Sequence, residues 1–235
     1  MSDSTVRLTV PGATRAPSGE SVWQRPRAAS PARLDCPVAG GQARVVFKRV
    51  VDVIVASLLL AVAAAPMALV ALLIRLSSPG PVFYKQERVG LNGRTFILWK
   101  FRTMRTDAER DTGPVWAKRN DPRRTVVGAV LRRLCIDELP QLINVLRGDM
   151  SLVGPRPERP CFVDEFSARM PDYPRRHAVL PGLSGWAQLN GLRGDTSIED
   201  RLDYDLYYVR NWSWTFDLYI LLMTPWRVLT DKNSC

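Results

Sequence analysis

Residues 44–81 read RVVFKRVVDVIVASLLLAVAAAPMALVALLIRLSSPGP, and this stretch decides the fold class. From Val53 to Ile74 it runs for 22 residues without a charged side chain. A straight helix of that length covers about 33 Å, enough to cross the hydrocarbon core of a bilayer. Pro66 lies near the middle, where it removes one backbone donor and kinks the helix. The stretch therefore predicts a helix that enters a membrane.

The charges beside the apolar segment bear on its topology. Basic residues flank both ends: Arg44, Lys48 and Arg49 before it, and Arg75, Lys85 and Arg88 after it. A single span would put one basic flank outside the cytoplasm, against the positive-inside tendency. A helix that breaks at Pro66 and returns keeps both flanks cytoplasmic, so we predict a re-entrant membrane segment over residues 44–80. The alternative is a true span with a kink, because membrane helices tolerate proline. We also expect Lys48 to pair with Asp52, four residues further on.

Composition narrows the class of protein. The 235 residues predict one domain with appendages. The net charge of +10 favours an anionic partner, which could be nucleic acid, a phosphorylated substrate or anionic lipid. The four cysteines form no CxxC pair and indicate reduced thiols, and a single histidine excludes a multi-histidine metal centre. No nucleic-acid-binding motif is present, so we expect no nucleic acid partner.

The chain divides into three parts. Residues 1–43 contain five prolines and little apolar periodicity, which predicts a disordered basic tail that is not a cleaved signal. Residues 81–235 predict a small, compact cytosolic domain of α+β class, mainly helical. It begins with two strands joined at Leu91-Asn92-Gly93 and continues with helices over 125–134 and 137–147.

Aromatic side chains crowd the C-terminal region. Eight lie between Tyr204 and Trp226, interleaved with charged residues. Tyrosine and tryptophan favour the membrane interface, so we expect interfacial amphipathic helices there. The alternative is an aromatic face packed into the core of the domain.

A pair of adjacent carboxylates, Asp137 and Glu138, stands before Pro140 in the sequence DELPQLINVLRGDMSLVGPRPE, residues 137–158. Proline suits the first turn of a helix, so the pair lies at or beside a helix N-terminus, where negative charge is favoured. That placement alone could explain it. The other interpretation is phosphoryl transfer, which uses a carboxylate nucleophile, a divalent metal and arginines. Arg156 lies between two prolines that fix the backbone beside it.

Six strings of sequence carry a resemblance to a known family. They are KRVVDV, GPVFYKQERVG, FILWKFRTM, DPRRTVVGAVLRR, DELPQLINVLRGDMSLVGPRP and PGLSGWAQLNG. Over about Phe47 to Val228 the chain resembles the bacterial sugar transferases, the monotopic phosphoglycosyl transferase superfamily. It departs from the family pattern at Ala65, where a serine is common, and at Cys135, which we interpret as a packing residue. Without the extra helices and domain of larger members, it resembles a minimal form.

The resemblance implies transfer of a sugar-1-phosphate from a UDP-sugar to polyprenyl (undecaprenyl) phosphate, with release of UMP, as the first membrane step of exopolysaccharide assembly. It implies a ping-pong route in which Asp137 attacks the β-phosphorus and forms a phosphosugar-aspartyl intermediate. Glu138 is implied to help bind Mg²⁺ or to accept a proton, so the implied metal ligands are Asp137 and Glu138. Glucose is the sugar we favour; galactose, an acetamido sugar or an inactive membrane-surface scaffold are the alternatives.

Five basic residues in the matching motifs are candidate phosphate or substrate ligands. They are Arg156, Arg132, Arg88, Lys100 and Arg102, with the first two ranked above the others. A structural ion pair is the alternative for each. The resemblance further implies a monotopic protein of the inner, cytoplasmic membrane. Its catalytic domain would face the cytoplasm and contact lipid, and a homodimer is left open.

Overall fold

The structure, a computed structural model, describes residues 41–110, 113, 115–116, 121–194 and 196–230, which belong to one compact unit. The prediction of a disordered tail over residues 1–43 lies outside the described residues except at 41–43, where it is wrong because these three residues are helical. Within them the chain forms seven α-helices and four short strands. The predicted mainly helical α+β class is confirmed.

The longest element is helix α1, Gly41–Ser77. Residues 43–77 are, in the described part of the chain, one helix long and apolar enough to cross a membrane, and its most apolar 18-residue window has a mean hydropathy of 2.6. The expected interruption at Pro66 is not a break in secondary structure, because α1 continues through that residue. The re-entrant path of the chain stays a prediction.

Both ends of α1 pack on the rest of the domain, whereas most side chains of its middle are exposed. Towards the N-terminal end Ala56 is fully buried, and towards the C-terminal end Val70 and Ile74 are buried against Phe101. Every residue from 57 to 69 is exposed or half-buried. The most apolar part of the helix thus projects away from the domain.

Lys48 does not form the expected pair with Asp52. Its ammonium group instead forms an ion pair with Asp217, near the C-terminal end of the chain. Asp52 is buried and accepts a hydrogen bond from the backbone N–H of Leu152 at 3.1 Å. The prediction was wrong because it considered only the spacing within one helix, and these two partners are 169 and 100 residues away.

The predicted hairpin is confirmed. Strands β1, Phe83–Val89, and β2, Thr95–Phe101, pair antiparallel. At the turn Asn92 has φ of 53° and Gly93 has φ of 75°, a left-handed backbone that these two residue types accommodate. The hairpin matters for the site because Lys100 is the second-to-last residue of β2.

The two predicted helices are found with one correction. Helix α2, Val126–Arg133, is capped by the Thr125 hydroxyl and agrees with the predicted 125–134 to one residue at each end. The second prediction, 137–147, is wrong in its first turn: residues Ile136–Glu138 form a 3-10 turn, and helix α3 is Gln141–Arg147. Pro140 has no N–H to donate backwards, so a regular helix cannot run through it from residue 136.

A pair of short parallel strands was not predicted. β3, Ser151–Val153, pairs with β4, Gly182–Ser184. The remaining helices are α4, Pro160–Arg169; α5, Trp186–Leu189; α6, Ile198–Arg210; and α7, Trp214–Thr230. A 3-10 turn, Tyr173–Ala178, lies between α4 and β4.

The C-terminal aromatic residues divide between the two interpretations. Tyr208 and Trp212 are buried, and both donate hydrogen bonds to Asp217. Tyr219 and Trp226 are exposed on α7. They share that exposed face with apolar side chains: Leu218, Leu222 and Met223. Core packing therefore accounts for the first pair, and the second pair has the character of an interfacial helix.

Candidate active site

The two adjacent carboxylates lie in the 3-10 turn between α2 and α3, and both are buried. Asp137 is 3% exposed and Glu138 is 7% exposed. The turn begins after Cys135, which has φ of 53° and is one of two described non-glycine residues with a positive φ. This left-handed residue ends α2 sharply, so the two carboxylates follow the end of one helix and precede the start of the next.

Glu138 is held by two cations from other parts of the chain. Lys100 of β2 donates to its Oε1 at 2.7 Å, and Arg156 donates to both of its oxygens, with Nη1 3.1 Å from Oε2. Burial opposes ionisation of Glu138, but Arg156 and Lys100 outweigh it and hold the pKa well below the usual range. Glu138 is therefore a permanent anion that orients two cations.

The environment of Asp137 shifts the pKa in the opposite direction from that of Glu138. Burial raises the pKa of its carboxyl, assisted by the negative charge of Glu138 and opposed by Lys100 and Arg132. Its Oδ1 atom is buried and has no hydrogen-bond partner among the described residues. A buried carboxylate oxygen without a partner is costly unless a ligand or reacting group satisfies it.

Both carboxylates line a cavity of about 510 Å³. Among the described residues its wall holds ten Arg or Lys side chains and four Asp or Glu side chains. Such an excess of positive charge favours an anionic ligand. The size of the cavity lies in the usual range for small-molecule sites, about 300–1,000 Å³.

All five basic residues predicted as ligands line this cavity, with different partners. Lys100 and Arg156 pair with Glu138 as described. Arg132 donates through Nε to the Thr103 hydroxyl at 2.9 Å.

The other two predicted ligands make structural contacts. Arg88 contacts Glu158 at 3.2 Å and the Pro157 carbonyl at 3.0 Å. Arg102 is 5% exposed and donates to backbone carbonyl groups just after α1, at Ser78 and Pro79. It thereby holds the C-terminal end of α1 against the domain, and its contact with substrate stays a prediction.

Sequence reasoning missed the buried ion pairs in and behind this wall. Arg176 and Asp205 form an ion pair in which both side chains are almost fully buried. Glu158 joins Arg88 to Arg201, whose Nη1 lies 3.0 Å from Glu158 Oε1. A run such as YPRRH carries no sign that one arginine is buried, because its counter-ion, Asp205, lies 29 residues away in the sequence.

Of the two carboxylates, only Asp137 is well suited to bind a magnesium ion. Within the described residues no group of three or more His, Cys, Asp or Glu side chains forms a ready-made metal site. Mg²⁺ is commonly bound through one or two carboxylates together with substrate phosphates. Asp137, with its unpartnered Oδ1, suits that mode, whereas both oxygens of Glu138 already accept from cations.

Comparison with known protein families gives a match that covers most of the chain. Residues 43–231 match the bacterial sugar transferase family. The chain is 42% identical to UDP-glucose:undecaprenyl-phosphate glucose-1-phosphate transferase of Escherichia coli K12 over 85% of this chain and 43% of that protein. It is 48% identical to the protein of the same name from Caulobacter vibrioides, over 80% and 71% of the two chains.

Two further relatives widen the range of functions. The chain is 44% identical to UDP-N-acetylgalactosamine-undecaprenyl-phosphate N-acetylgalactosaminephosphotransferase of Aeromonas hydrophila, over 80% of this chain and 45% of that protein. It is also 44% identical to the exopolysaccharide production protein PSS of Rhizobium leguminosarum, over 79% and 96%. The chain thus spans less than half of some of these relatives and nearly all of another.

Proposed function

The chain belongs to the bacterial sugar transferase family, and we propose that it transfers a sugar-1-phosphate from a UDP-sugar to undecaprenyl phosphate, releasing UMP. The observation that carries this proposal is the Asp137 carboxylate, which is buried and has an unpartnered oxygen in a cationic cavity. The names of the relatives from E. coli and Caulobacter support it, because they state transfer of glucose-1-phosphate from UDP-glucose to undecaprenyl phosphate for those proteins.

The first half-reaction uses Asp137 as the nucleophile. Its carboxylate oxygen forms a bond to the β-phosphorus of the donor while the bond from that phosphorus to the oxygen of the UMP phosphate breaks, and UMP leaves with the electron pair. Lys100 and Arg156 lie beside the carboxylates and stabilise the negative charge on the phosphate oxygens. A bound Mg²⁺ would supply further charge neutralisation at the diphosphate.

In the second half-reaction a phosphate oxygen of undecaprenyl phosphate attacks the same phosphorus, and the Asp137 carboxylate leaves. A phosphate monoester is already largely doubly ionised near neutral pH, since its second pKa is about 6. Glu138 is a poor proton acceptor because its pKa is held low and both of its oxygens accept from cations. We therefore assign Glu138 the role of orienting Lys100 and Arg156.

Glucose is the sugar that the relatives favour. The E. coli and Caulobacter proteins are named for UDP-glucose. An N-acetylgalactosamine enzyme of similar identity, from Aeromonas, is the observation behind a second candidate. The sugar is therefore the part of the proposal that a panel of donors must decide.

The packing of α1 supports a re-entrant rather than a spanning anchor. Arg49 and Ile74 lie near opposite ends of the apolar segment, yet both contact the same domain: Arg49 donates to the Leu146 carbonyl at 2.9 Å, and Ile74 packs against Phe101. A domain on one side of a bilayer cannot reach both ends of a helix that crosses it. We propose that the exposed middle of α1 dips into the cytoplasmic leaflet and returns.

Cysteine labelling tests this topology. Val45→Cys and Ser77→Cys introduce thiols at exposed positions on the two sides of the apolar segment. A cysteine at Gly80, just after the helix, would be unsuitable as the second label, because φ there is 115° and a Cβ would lie 2.3 Å from Arg102 Nη1. We expect both thiols to react from the cytoplasmic face, above the background of the unaltered chain; reaction from opposite faces would establish a span.

The experiment for the reaction measures UMP release in detergent with Mg²⁺ and undecaprenyl phosphate across a panel of UDP-sugars. We expect release with one sugar and loss of at least about a thousandfold for Asp137→Asn, since a covalent nucleophile is removed. Asp203→Asn, an exposed carboxylate on α6, is the matched control. Labelled UMP should also exchange into the UDP-sugar without acceptor, as a ping-pong route requires.

The outcomes separate the candidate functions. UMP release that survives Asp137→Asn would remove Asp137 as the nucleophile. No release with any sugar from a folded protein would favour an inactive membrane-surface scaffold.

A further inference from the structure

Arg193 lies on the same cavity wall as Asp137, on a loop between α5 and α6. Sequence reasoning assigned it no role. Its Nε donates to the Gln188 carbonyl at 3.1 Å, and its Nη1 lies 3.8 Å from the Cys135 sulfur. Cys135 is two residues before Asp137, so this guanidinium lies close to the carboxylate pair.

The partners of Arg193 differ from those of the neighbouring cations. Lys100 and Arg156 pair with Glu138, Arg159 pairs with Glu109, and Arg88 and Arg201 share Glu158. In the described part of the chain Arg193 forms no ion pair, and its two hydrogen bonds go to a neutral carbonyl and a thiol.

A charge in this setting is costly without an anion. Arg193 is half-buried, so part of its hydration is lost, and the surrounding wall has an excess of positive charge. The two contacts that it makes hold one edge of the planar guanidinium in place. The other N–H groups stay available for a phosphate, whose oxygens match the guanidinium geometry bidentately.

We propose that Arg193 binds the diphosphate of a nucleoside diphosphate donor in this cavity. This inference rests on the proposed function and adds a ligand to it. As the bond between the two phosphates breaks, negative charge grows on the departing phosphate, and Arg193 stabilises it. Arg156 and Lys100 already pair with Glu138, whereas Arg193 forms no ion pair with any carboxylate of the described residues.

Ligand binding tests the proposal without turnover. Titration calorimetry on the full chain in detergent with Mg²⁺ compares UDP with uridine, which has the same base and ribose but no phosphate. For Arg193→Gln we expect UDP affinity to fall about ten- to a hundredfold, in line with loss of a charged hydrogen bond, and uridine affinity to stay unchanged.

Two matched variants complete the design. Arg133→Gln removes the same charge from an exposed side chain of α2 that does not line the cavity, so it measures the long-range electrostatic effect. Arg193→Lys keeps the charge but loses the planar fork, and we expect it to restore only part of the UDP affinity. Thermal unfolding confirms that each variant is folded.

Each outcome supports or overturns the proposal. If Arg193→Gln binds UDP as tightly as Arg133→Gln does, Arg193 is not a phosphate ligand and the inference is wrong, while the proposed function stands. If the affinity for uridine falls as much as that for UDP, the effect is on the shape of the cavity and the inference is again wrong. A wild-type protein that binds no UDP would overturn the proposed donor itself.

Discussion

The guanidinium of Arg176 donates a hydrogen bond to the backbone carbonyl oxygen of Arg156, with 2.7 Å between Nη2 and O. Arg176 is itself fixed by Asp205, whose Oδ2 lies 2.6 Å from the same nitrogen. Arg156 in turn holds Glu138. A chain of polar contacts thus runs from a buried ion pair to Glu138 in the candidate active site, and it holds the backbone between Pro155 and Pro157.

Substitution Asp205→Asn tests this chain of contacts. It leaves the Arg176 charge buried without its counter-ion, so we expect the free energy of unfolding to fall by about 3–5 kcal/mol. We also expect a lower kcat for UMP release in the protein that stays folded, because Arg156 loses its fixed position. Chemical unfolding and UMP release, both in detergent, measure the two effects.

The matched control is Glu165→Gln, which breaks the exposed pair between Glu165 and Arg169 on α4. Exposed pairs of this kind contribute about 0.5 kcal/mol or less. Equal losses of stability for the two variants would show that the buried pair has no special role.

The side chain of Asn144 forms hydrogen bonds with backbone groups of β2, as a neighbouring strand would. Its side chain is fully buried; it accepts from the Trp99 N–H at 3.1 Å and donates to the Ile97 carbonyl at 2.7 Å. Asn144→Ala leaves both β2 groups unpaired, so we expect the free energy of unfolding to fall by about 2–5 kcal/mol. Thermal unfolding in detergent measures it. Asn211→Ala, at an exposed asparagine with one backbone contact, is the control, and a similar loss there would contradict the prediction.

Gly128 lets α2 approach the end of β2 closely. A Cβ at this position would lie 2.0 Å from the Thr103 carbonyl oxygen. Alanine normally stabilises a helix relative to glycine by about 1 kcal/mol. Here we expect Gly128→Ala to lower the melting temperature instead, because α2 must move and the contact of Arg132 with Thr103 is lost. An unchanged or higher melting temperature would show that α2 can shift freely.

His177 makes stability depend on pH. Burial, assisted by the charge of Arg176, lowers the pKa of His177 to about 3, against about 6.5 in the unfolded chain. Between these values the unfolded chain binds more protons. The contribution of His177 to stability is therefore complete above about pH 6.5 and is lost as the pH falls towards 3.

A variant isolates this contribution from those of the carboxylates. We expect the loss in free energy of unfolding between pH 7 and pH 5 to be about 2 kcal/mol smaller for His177→Gln than for wild type. Unfolding curves at the two pH values measure the difference. Equal losses would show that His177 does not titrate on unfolding in this range.

Local chain chemistry explains what could be predicted. The uncharged run before Ile74 indicates a membrane-entering helix, and Asn92-Gly93 indicates a hairpin turn, because each depends on neighbouring residues alone. The parallel pairing of Ser151 with Gly182 could not be predicted, since each strand has only three residues and the pairing has no local signal. For the same reason the sequence did not indicate the ion pair of Arg176 with Asp205 or the position of Arg193 in the cavity wall.

By itself the sequence determined that two adjacent carboxylates, Asp137 and Glu138, stand at or beside the start of a helix, with arginines near them in the chain. Tertiary structure decided that they differ. Both are buried, yet Lys100 and Arg156 contact Glu138 directly and lower its pKa, whereas burial dominates at Asp137 and raises its pKa. The physical reason is that desolvation acts on both groups alike, but a close ion pair depends on side chains that only the fold brings within 3 Å or so.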